Sequence, residues 1–295
     1  MENEKKDVYE IITSRIIEQL EQGIVPWKQP WIEAGLPQNL ISKRYYRGIN
    51  TWLLLSLGYA QNYFLTYKQI KDIGATLKKG EKSCPVVFWT WLEPKEDAPV
   101  DTKAKPMLRY YTVFNIEQCE GIPESRIPQA ETEQNNDPIE VCEQIVLNMQ
   151  KKPDIKHKEN RAYYHPLLDY VNMPKLKSFK NSESYYDTLF HELVHSTGHL
   201  SRLNRSEITD MESLGGDAYS TEELVAEIGA CYLCSHAGIL HQEFDNNMAY
   251  IQSWLAKLKN DKRCIVFASA KAQKAVDFIL NVQVRESEDV HEEEH

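Results

Sequence analysis

Ser182-Glu183-Ser184-Tyr185-Tyr186-Asp187-Thr188-Leu189-Phe190-His191-Glu192-Leu193-Val194-His195-Ser196-Thr197-Gly198 is the stretch whose reading decides the fold of this chain. Tyr186, Leu189, Phe190, Leu193 and Val194 recur at three- and four-residue intervals, which predicts an amphipathic helix with that stripe buried. Ser182 or Ser184 offers an N-cap, and Gly198 a stop. Residues i and i+4 of a helix differ by about 40° in azimuth and about 6 Å in rise, so His191 and His195 project from one face and can share a metal ion. Glu192 lies on the neighbouring flank. A carboxylate there can act as general base on water without filling a coordination position. The expectation is one divalent metal per chain, zinc with Mn2+ as the other option, used for peptide-bond hydrolysis with Glu192 as the catalytic residue.

A catalytic site of this kind needs a third protein ligand and an open position for water. Gly198 makes the sequence resemble the metzincin pattern HExxHxxGxxH, but Ser201 stands where the third histidine should be, which excludes that class. His199 would lie about 12 Å along the axis from His191, too far to share the ion, and is expected at the surface or in support of the site. Downstream, Ser220-Thr221-Glu222-Glu223-Leu224-Val225-Ala226-Glu227-Ile228-Gly229-Ala230 reads as a second helix with Glu223 and Glu227 one turn apart on one side. This resembles the ExxxD/E helix of glutamate-zincins such as thermolysin, in which the first acid binds zinc and the second holds a ligand histidine. The resemblance implies Glu223 as third ligand and Glu227 as its supporting carboxylate. A competing assignment makes Glu223 the partner of Ser220 in a capping box. Leu224, Val225, Ile228, Tyr232 and Leu233 mark the helix as a core element. Cys231 and Cys234 fall in the same pattern, and without a second CxxC they read as core packing rather than a zinc site.

The chain has 295 residues, 42% of them hydrophobic, which is enough for one large domain or two of ordinary size, each with a core of its own, and two are expected. No run of about eighteen apolar residues occurs, so no membrane partner is expected. Residues Met1 to Asp7 carry charges of both signs instead of the basic start and apolar run of a signal peptide, and a cytoplasmic protein is expected. Six thinly spread cysteines suggest reduced thiols rather than a disulfide framework.

The net charge of −10 is unevenly distributed. Between Gln22 and Thr90 stand nine basic residues against three acidic ones, a net +6 that leaves −16 on the rest. Five of the six tryptophans, Trp27, Trp31, Trp52, Trp89 and Trp91, lie in or beside this window. Aromatics interleaved with Lys and Arg suit single-stranded nucleic acid, because each base offers a stackable face and each phosphate a charge. Core packing is the competing explanation for many of these rings, and the reading expected of Trp52 beside Leu53 to Leu55. The candidate nucleic-acid contacts are Trp27, Lys28, Arg44, Tyr46, Arg47, Lys68, Lys78, Lys79 and Lys82.

Around these features the pattern predicts a helix over 8–22 and a short one over 50–59. Residues 85–92 and 108–116 read as the strands of a hairpin, with a long solvated loop between them. Residues 121–137 shift to Pro, Gln, Asn and Glu, as in a connector. A helix over 138–149 and short strands over 161–164 and 170–173 precede at least three helices. The expected division is 1–122, a linker 123–137, a second domain 138–285 and an acidic tail 286–295; the fold class is α+β.

Taken together the motifs resemble the ArdC antirestriction family of plasmids and other mobile elements. The resemblance rests on Leu20-Glu21-Gln22-Gly23 with Pro26-Trp27 and Pro30-Trp31, Tyr46-Arg47-Gly48-Ile49-Asn50, Leu65-Thr66-Tyr67-Lys68-Gln69, Lys79-Gly80-Glu81-Lys82 and Val113-Phe114-Asn115. The second half adds Tyr185-Tyr186, the His191 to His195 motif, Thr197-Gly198-His199, Arg202-Leu203, Glu222 to Glu227 and Asp261-Lys262. One departure is Ser196, where an aromatic is expected after the second histidine. The resemblance implies an N-terminal domain binding single-stranded DNA and a C-terminal zincin-like (gluzincin-type) metallopeptidase domain, in a protein that helps incoming mobile DNA, as in conjugation, escape restriction. The arrangement is also similar to DNA-dependent proteases that act on DNA-bound proteins. Two functions are therefore expected to compete: a DNA-tethered metallopeptidase of unnamed protein or peptide substrate, and a shield that protects DNA by covering it, with a structural metal site.

Overall fold

A computed structural model describes residues 7–22, 36–92, 105–128, 138–209, 217–239 and 248–282. Trp27, Lys28, Trp31, most of the expected linker and the acidic tail lie outside the described residues. In chain order the elements are α1 (Val8–Glu21), β1 (Gln38–Asn39), α2 (Ile49–Leu55), β2 (Tyr63–Thr66), α3 (Tyr67–Asp72), β3 (Thr76–Leu77), β4 (Cys84–Leu92), β5 (Lys105–Asn115) and β6 (Cys119–Glu120). They continue with α4 (Pro138–Asn148), β7 (Asp154–Lys156), β8 (Tyr163–His165), β9 (Tyr170–Asn172), α5 (Ser182–Thr197), α6 (Ser206–Thr209), α7 (Asp217–Ala237), α8 (Met248–Asn260) and α9 (Cys264–Ile279). The class is α+β.

The expected hairpin is present, with β4 and β5 antiparallel in register from Cys84 opposite Val113 to Leu92 opposite Lys105. It belongs to a four-stranded sheet of order β1-β2-β5-β4, in which β1 and β2 are parallel. Strand β2 ends in a capping box: the Thr66 hydroxyl accepts from Gln69 N while the Gln69 side chain accepts from Thr66 N, and this starts α3. A second small sheet of order β7-β9-β8 lies before α5. Its inward residues Ile155, Tyr164 and Val171 join the main core.

Two boundaries differ from the sequence expectation. Helix α2 stops at Leu55, because beyond the buried run Trp52 to Leu55 the chain turns out through Gly58 at φ +70. Helix α5 is capped by Asn181, whose side chain accepts from Ser184 N at 2.9 Å, rather than by either serine; Ser184 is buried inside the first turn.

The two halves do not bury separate cores. Ile12, Ile16 and Leu20 of α1 and Trp52 and Leu54 of α2 belong to one apolar cluster with α5, α7 and α9, while a smaller cluster around Leu40, Leu65, Ile70 and Phe114 stays within the N-terminal half. The Trp52 and Tyr232 rings lie 4.5 Å apart. Gly48 N donates to Gln273 Oε1 at 3.1 Å, Tyr232 OH to Gly48 O, and Arg47 pairs with Asp277. The N-terminal unit is thus bolted to α7 and α9. Among the described residues no helix is long and apolar enough to cross a membrane. All six cysteines are buried, and none is in a disulfide.

Candidate metal centre

The stripe predicted for α5 is buried: Tyr186, Leu189, Phe190, Leu193 and Val194 all pack into the main core. Fully burying a side chain of this size contributes about 1.5–3 kcal/mol, so the orientation of α5 about its axis is strongly fixed. Against it lies α7, at a distance only glycine permits. A Cβ on Gly229 would sit 2.7 Å from Val194 Cγ2. This close approach brings the acidic start of α7 over the histidine face of α5.

The result is a triangle of ligand atoms. His191 Nε2 and His195 Nε2 are 3.1 Å apart. Glu223 Oε2 is 3.5 Å from His191 Nε2, and Glu223 Oε1 is 3.5 Å from His195 Nε2. Tetrahedral donors at about 2.0–2.2 Å from zinc stand about 3.3–3.5 Å from one another, so the three edges match the span of one coordination sphere. The donor set, two imidazoles and one carboxylate, fits a divalent ion and leaves a fourth position open. His191, His195 and Glu223 form the only such group found among the described residues.

Each imidazole has a carboxylate behind it. His191 Nδ1 faces Glu227 Oε2 at 3.8 Å, too long for a hydrogen bond. His195 Nδ1 faces Glu222 Oε1 at 3.3 Å, and Glu222 is itself held by Arg205. Burial pulls the His195 pKa down, but the carboxylates of Glu222 and Glu223 outweigh it and lift it to about 10. Burial opposes ionisation of Glu222 and Glu223 as well. Their histidine and arginine partners nevertheless hold both below the usual carboxylate range. Glu192, one residue and about 100° round the helix from His191, is only 8% exposed. His199 takes no part in the triangle: its Nδ1 contacts Ser201 Oγ at 2.8 Å and lies 3.9 Å from Asp169. Ser196 is buried and donates to Leu193 O.

The small sheet is tied to the end of α5 by Arg202, which bonds both Asp169 oxygens, at 2.8 and 3.0 Å, and Ser196 O. Burial raises the Asp169 pKa, yet the bonds from Arg202 and Tyr164 more than reverse this, leaving it depressed. A depressed folded pKa stabilises above the unfolded value, about 3.9, and that stabilisation is lost as pH falls through the folded value. Asp169→Asn is therefore expected to lower the melting temperature at pH 7, the gap to the unsubstituted protein closing below about pH 4; an equal gap at pH 3 and 7 would contradict this.

The predicted nucleic-acid contacts divide. Arg44, Lys68, Lys79 and Lys82 are exposed, and Lys78 reaches Glu117 O at 2.7 Å from an exposed position. Tyr46 is a correction: it is 9% exposed, edge-on to Phe64 at 6.1 Å, and its ring is core. Arg47 pairs with Asp277 while its side chain stays 40% exposed. Rings that do face out include Tyr45 at 59% and Tyr67 at 51%, the latter under Lys71 Nζ at 4.7 Å, and on the hairpin Trp91, Tyr110 and Trp89. Tyr45 and Tyr46 are adjacent in extended backbone, where one side chain faces in and the next faces out.

A helix pair presenting two histidines one turn apart and a glutamate from the facing helix defines the class: this is a zincin-like metallopeptidase domain, and residues 141–271 match the family of that description. Residues 6–114 match the N-terminal domain of anti-restriction factor ArdC. The chain belongs to the ArdC antirestriction family. The ArdC protein of plasmid R388 is similar in its metal-free crystal structure, with 38% identity, a TM-score of 0.75, and coverage of 93% of this chain and 97% of that one. Its Mn(II)-bound structure gives 39% identity, a TM-score of 0.73, and coverage of 94% and 98%. A DNA primase TraC of Escherichia coli is 36% identical over 94% of this chain, and protein y4eC of Sinorhizobium fredii (strain NBRC 101917 / NGR234) is 32% identical over 92% of this chain and 91% of its own length. The chain spans only 27% of the length of that primase.

Proposed function

We propose that this chain is a DNA-tethered metallopeptidase that protects a mobile element's incoming DNA from restriction. The observation that carries the reading is the triangle of His191 Nε2, His195 Nε2 and Glu223 carboxylate oxygens with edges of 3.1 to 3.5 Å. A divalent ion held there would polarise a scissile carbonyl and make water a nucleophile near neutral pH. The Mn(II)-bound R388 protein supports an ion of this class, with Zn2+ the other candidate. Glu192 is the group placed to take the proton from the attacking water and return it to the leaving amine. Glu227, 3.8 Å from His191 Nδ1, is the carboxylate we assign to orienting that imidazole.

Single-stranded DNA is the proposed partner of the N-terminal unit, with Tyr45 and Tyr67 as stacking rings among Arg44, Lys68, Lys71, Lys79 and Lys82. Stacking of a base on an aromatic ring contributes about 1–3 kcal/mol. Tyr45→Ala/Tyr67→Ala should therefore weaken binding of a single-stranded oligonucleotide at least tenfold by fluorescence anisotropy, while Tyr46→Ala should instead lower the melting temperature. Unchanged affinity in the double variant would remove these rings from the interface.

The functional test is survival of unmodified DNA entering a restricting cell. The unsubstituted protein should protect it, and Glu192→Ala should not. Full protection by Glu192→Ala, together with loss of protection in Arg44→Glu/Tyr45→Ala, would mean that the chain works by covering DNA and not by cutting protein.

A further inference from the structure

We propose that Glu222 and Arg205 are positioning residues for His195, forming a buried chain from the loop after α5 to the metal centre; the inference rests on the metal reading above. Glu222 is 1% exposed and Arg205 is buried beside it. The guanidinium grips both carboxylate oxygens, Nε to Oε2 at 2.9 Å and Nη2 to Oε1 at 2.5 Å. Its remaining contacts, Nη1 to Thr197 Oγ1 at 2.6 Å and Nη2 to Val194 O at 2.8 Å, fix it to the last turn of α5. The backbone delivers it there: the chain folds back after Gly198, with Leu203 N donating to Thr197 O and Arg205 N to Gly198 O. Glu222 Oε1 then faces His195 Nδ1 at 3.3 Å, across the ring from the Nε2 that points at His191 and Glu223.

Stability alone does not account for this arrangement. A buried ion pair recovers little more than the cost of desolvating its charges, and apolar residues of the same size often serve as well. Arg205 could also cap Val194 O and Thr197 without a carboxylate directed at His195. What the carboxylate adds is a fixed acceptor for the Nδ1 proton, which leaves the Nε2 lone pair directed at the centre and the ring unable to rotate away. The bidentate grip of Arg205 prevents Glu222 from swinging about its own side-chain torsions.

The test compares the full chain with Glu222→Gln and with Arg205→Met/Glu222→Gln. Three properties are read: near-ultraviolet circular dichroism of the metal-free protein, Mn(II) affinity from the electron paramagnetic resonance of free Mn(II), and the visible absorption of the Co(II) form. Loss of such a supporting partner should weaken Mn(II) binding about 10–100-fold and shift the Co(II) bands while the dichroism is retained. If Glu222→Gln does not fold because Arg205 is left buried and unmatched, the double variant, which removes both charges, carries the comparison. Folded variants that bind Mn(II) within twofold of the unsubstituted protein and keep its Co(II) spectrum would overturn the proposal and leave the metal reading intact. An unsubstituted protein that binds neither ion would overturn both. Independently of any variant, nitrogen-15 resonances of the zinc-loaded chain should show a slowly exchanging proton on His195 Nδ1, and a deprotonated Nδ1 would also overturn the proposal.

Discussion

Glu192→Gln is expected to keep one divalent metal per chain and to lose about 10²–10⁴-fold in single-turnover peptide cleavage, the range a positioned general base contributes. The expectation follows from where the residue stands. Glu192 shares α5 with His191 and His195 but is not one of the three residues whose ligand atoms converge. Removing its charge therefore leaves the donor triangle complete. Proton transfer from the attacking water then lacks an acceptor. Metal analysis and cleavage measured on the same preparation check it. Cleavage within tenfold of the unsubstituted protein would take the base role away from Glu192.

Glu223→Ala is expected to show the opposite pattern, with bound metal falling well below one per chain and cleavage falling with it. The two Nε2 atoms 3.1 Å apart remain, but the carboxylate donor and both 3.5 Å edges of the triangle are gone. The competing assignment of this residue, a capping box with Ser220, does not fit the fold: α7 starts at Asp217, so Ser220 lies within the helix and is not its N-cap. Loss of metal with an unchanged melting temperature of the metal-free protein is the outcome that assigns it as a ligand.

The parts of this site carried by local pattern were legible in the sequence. The spacing of Leu189, Phe190, Leu193 and Val194 placed α5, and the i, i+4 pairing of the histidines followed from helix geometry. The match of Glu223 to the second helix of glutamate-zincins was also visible, and the geometry now brings that residue to 3.5 Å from both imidazoles. Glu222 carries no such local mark, since it stands between Thr221 and Glu223 in an acidic stretch, and only its burial shows that it must be paired. Its partner Arg205 lies seventeen residues away across a loop, beyond the reach of any local period. Arg47 is the same problem at larger scale, because its partner Asp277 is 230 residues distant. That pair joins the two halves.

Other misses have a simpler cause. Strands β1, β3 and β6 are two residues each, too short for alternation to register. Tyr45 and Tyr46 are adjacent, and composition alone cannot say which of the two faces solvent. The expected pair of independent cores was an inference from length. One cluster running from Ile12 to Ile279 shows that the first two helices are packed into the second half.

The central claim is that His191, His195 and Glu223 hold one catalytic metal. Elemental analysis of the purified chain beside His191→Ala/His195→Ala, each dialysed against the same trace of Zn2+ or Mn2+, tests it most directly. The account predicts about one ion per chain in the first and almost none in the second. Full occupancy in the double variant would contradict it.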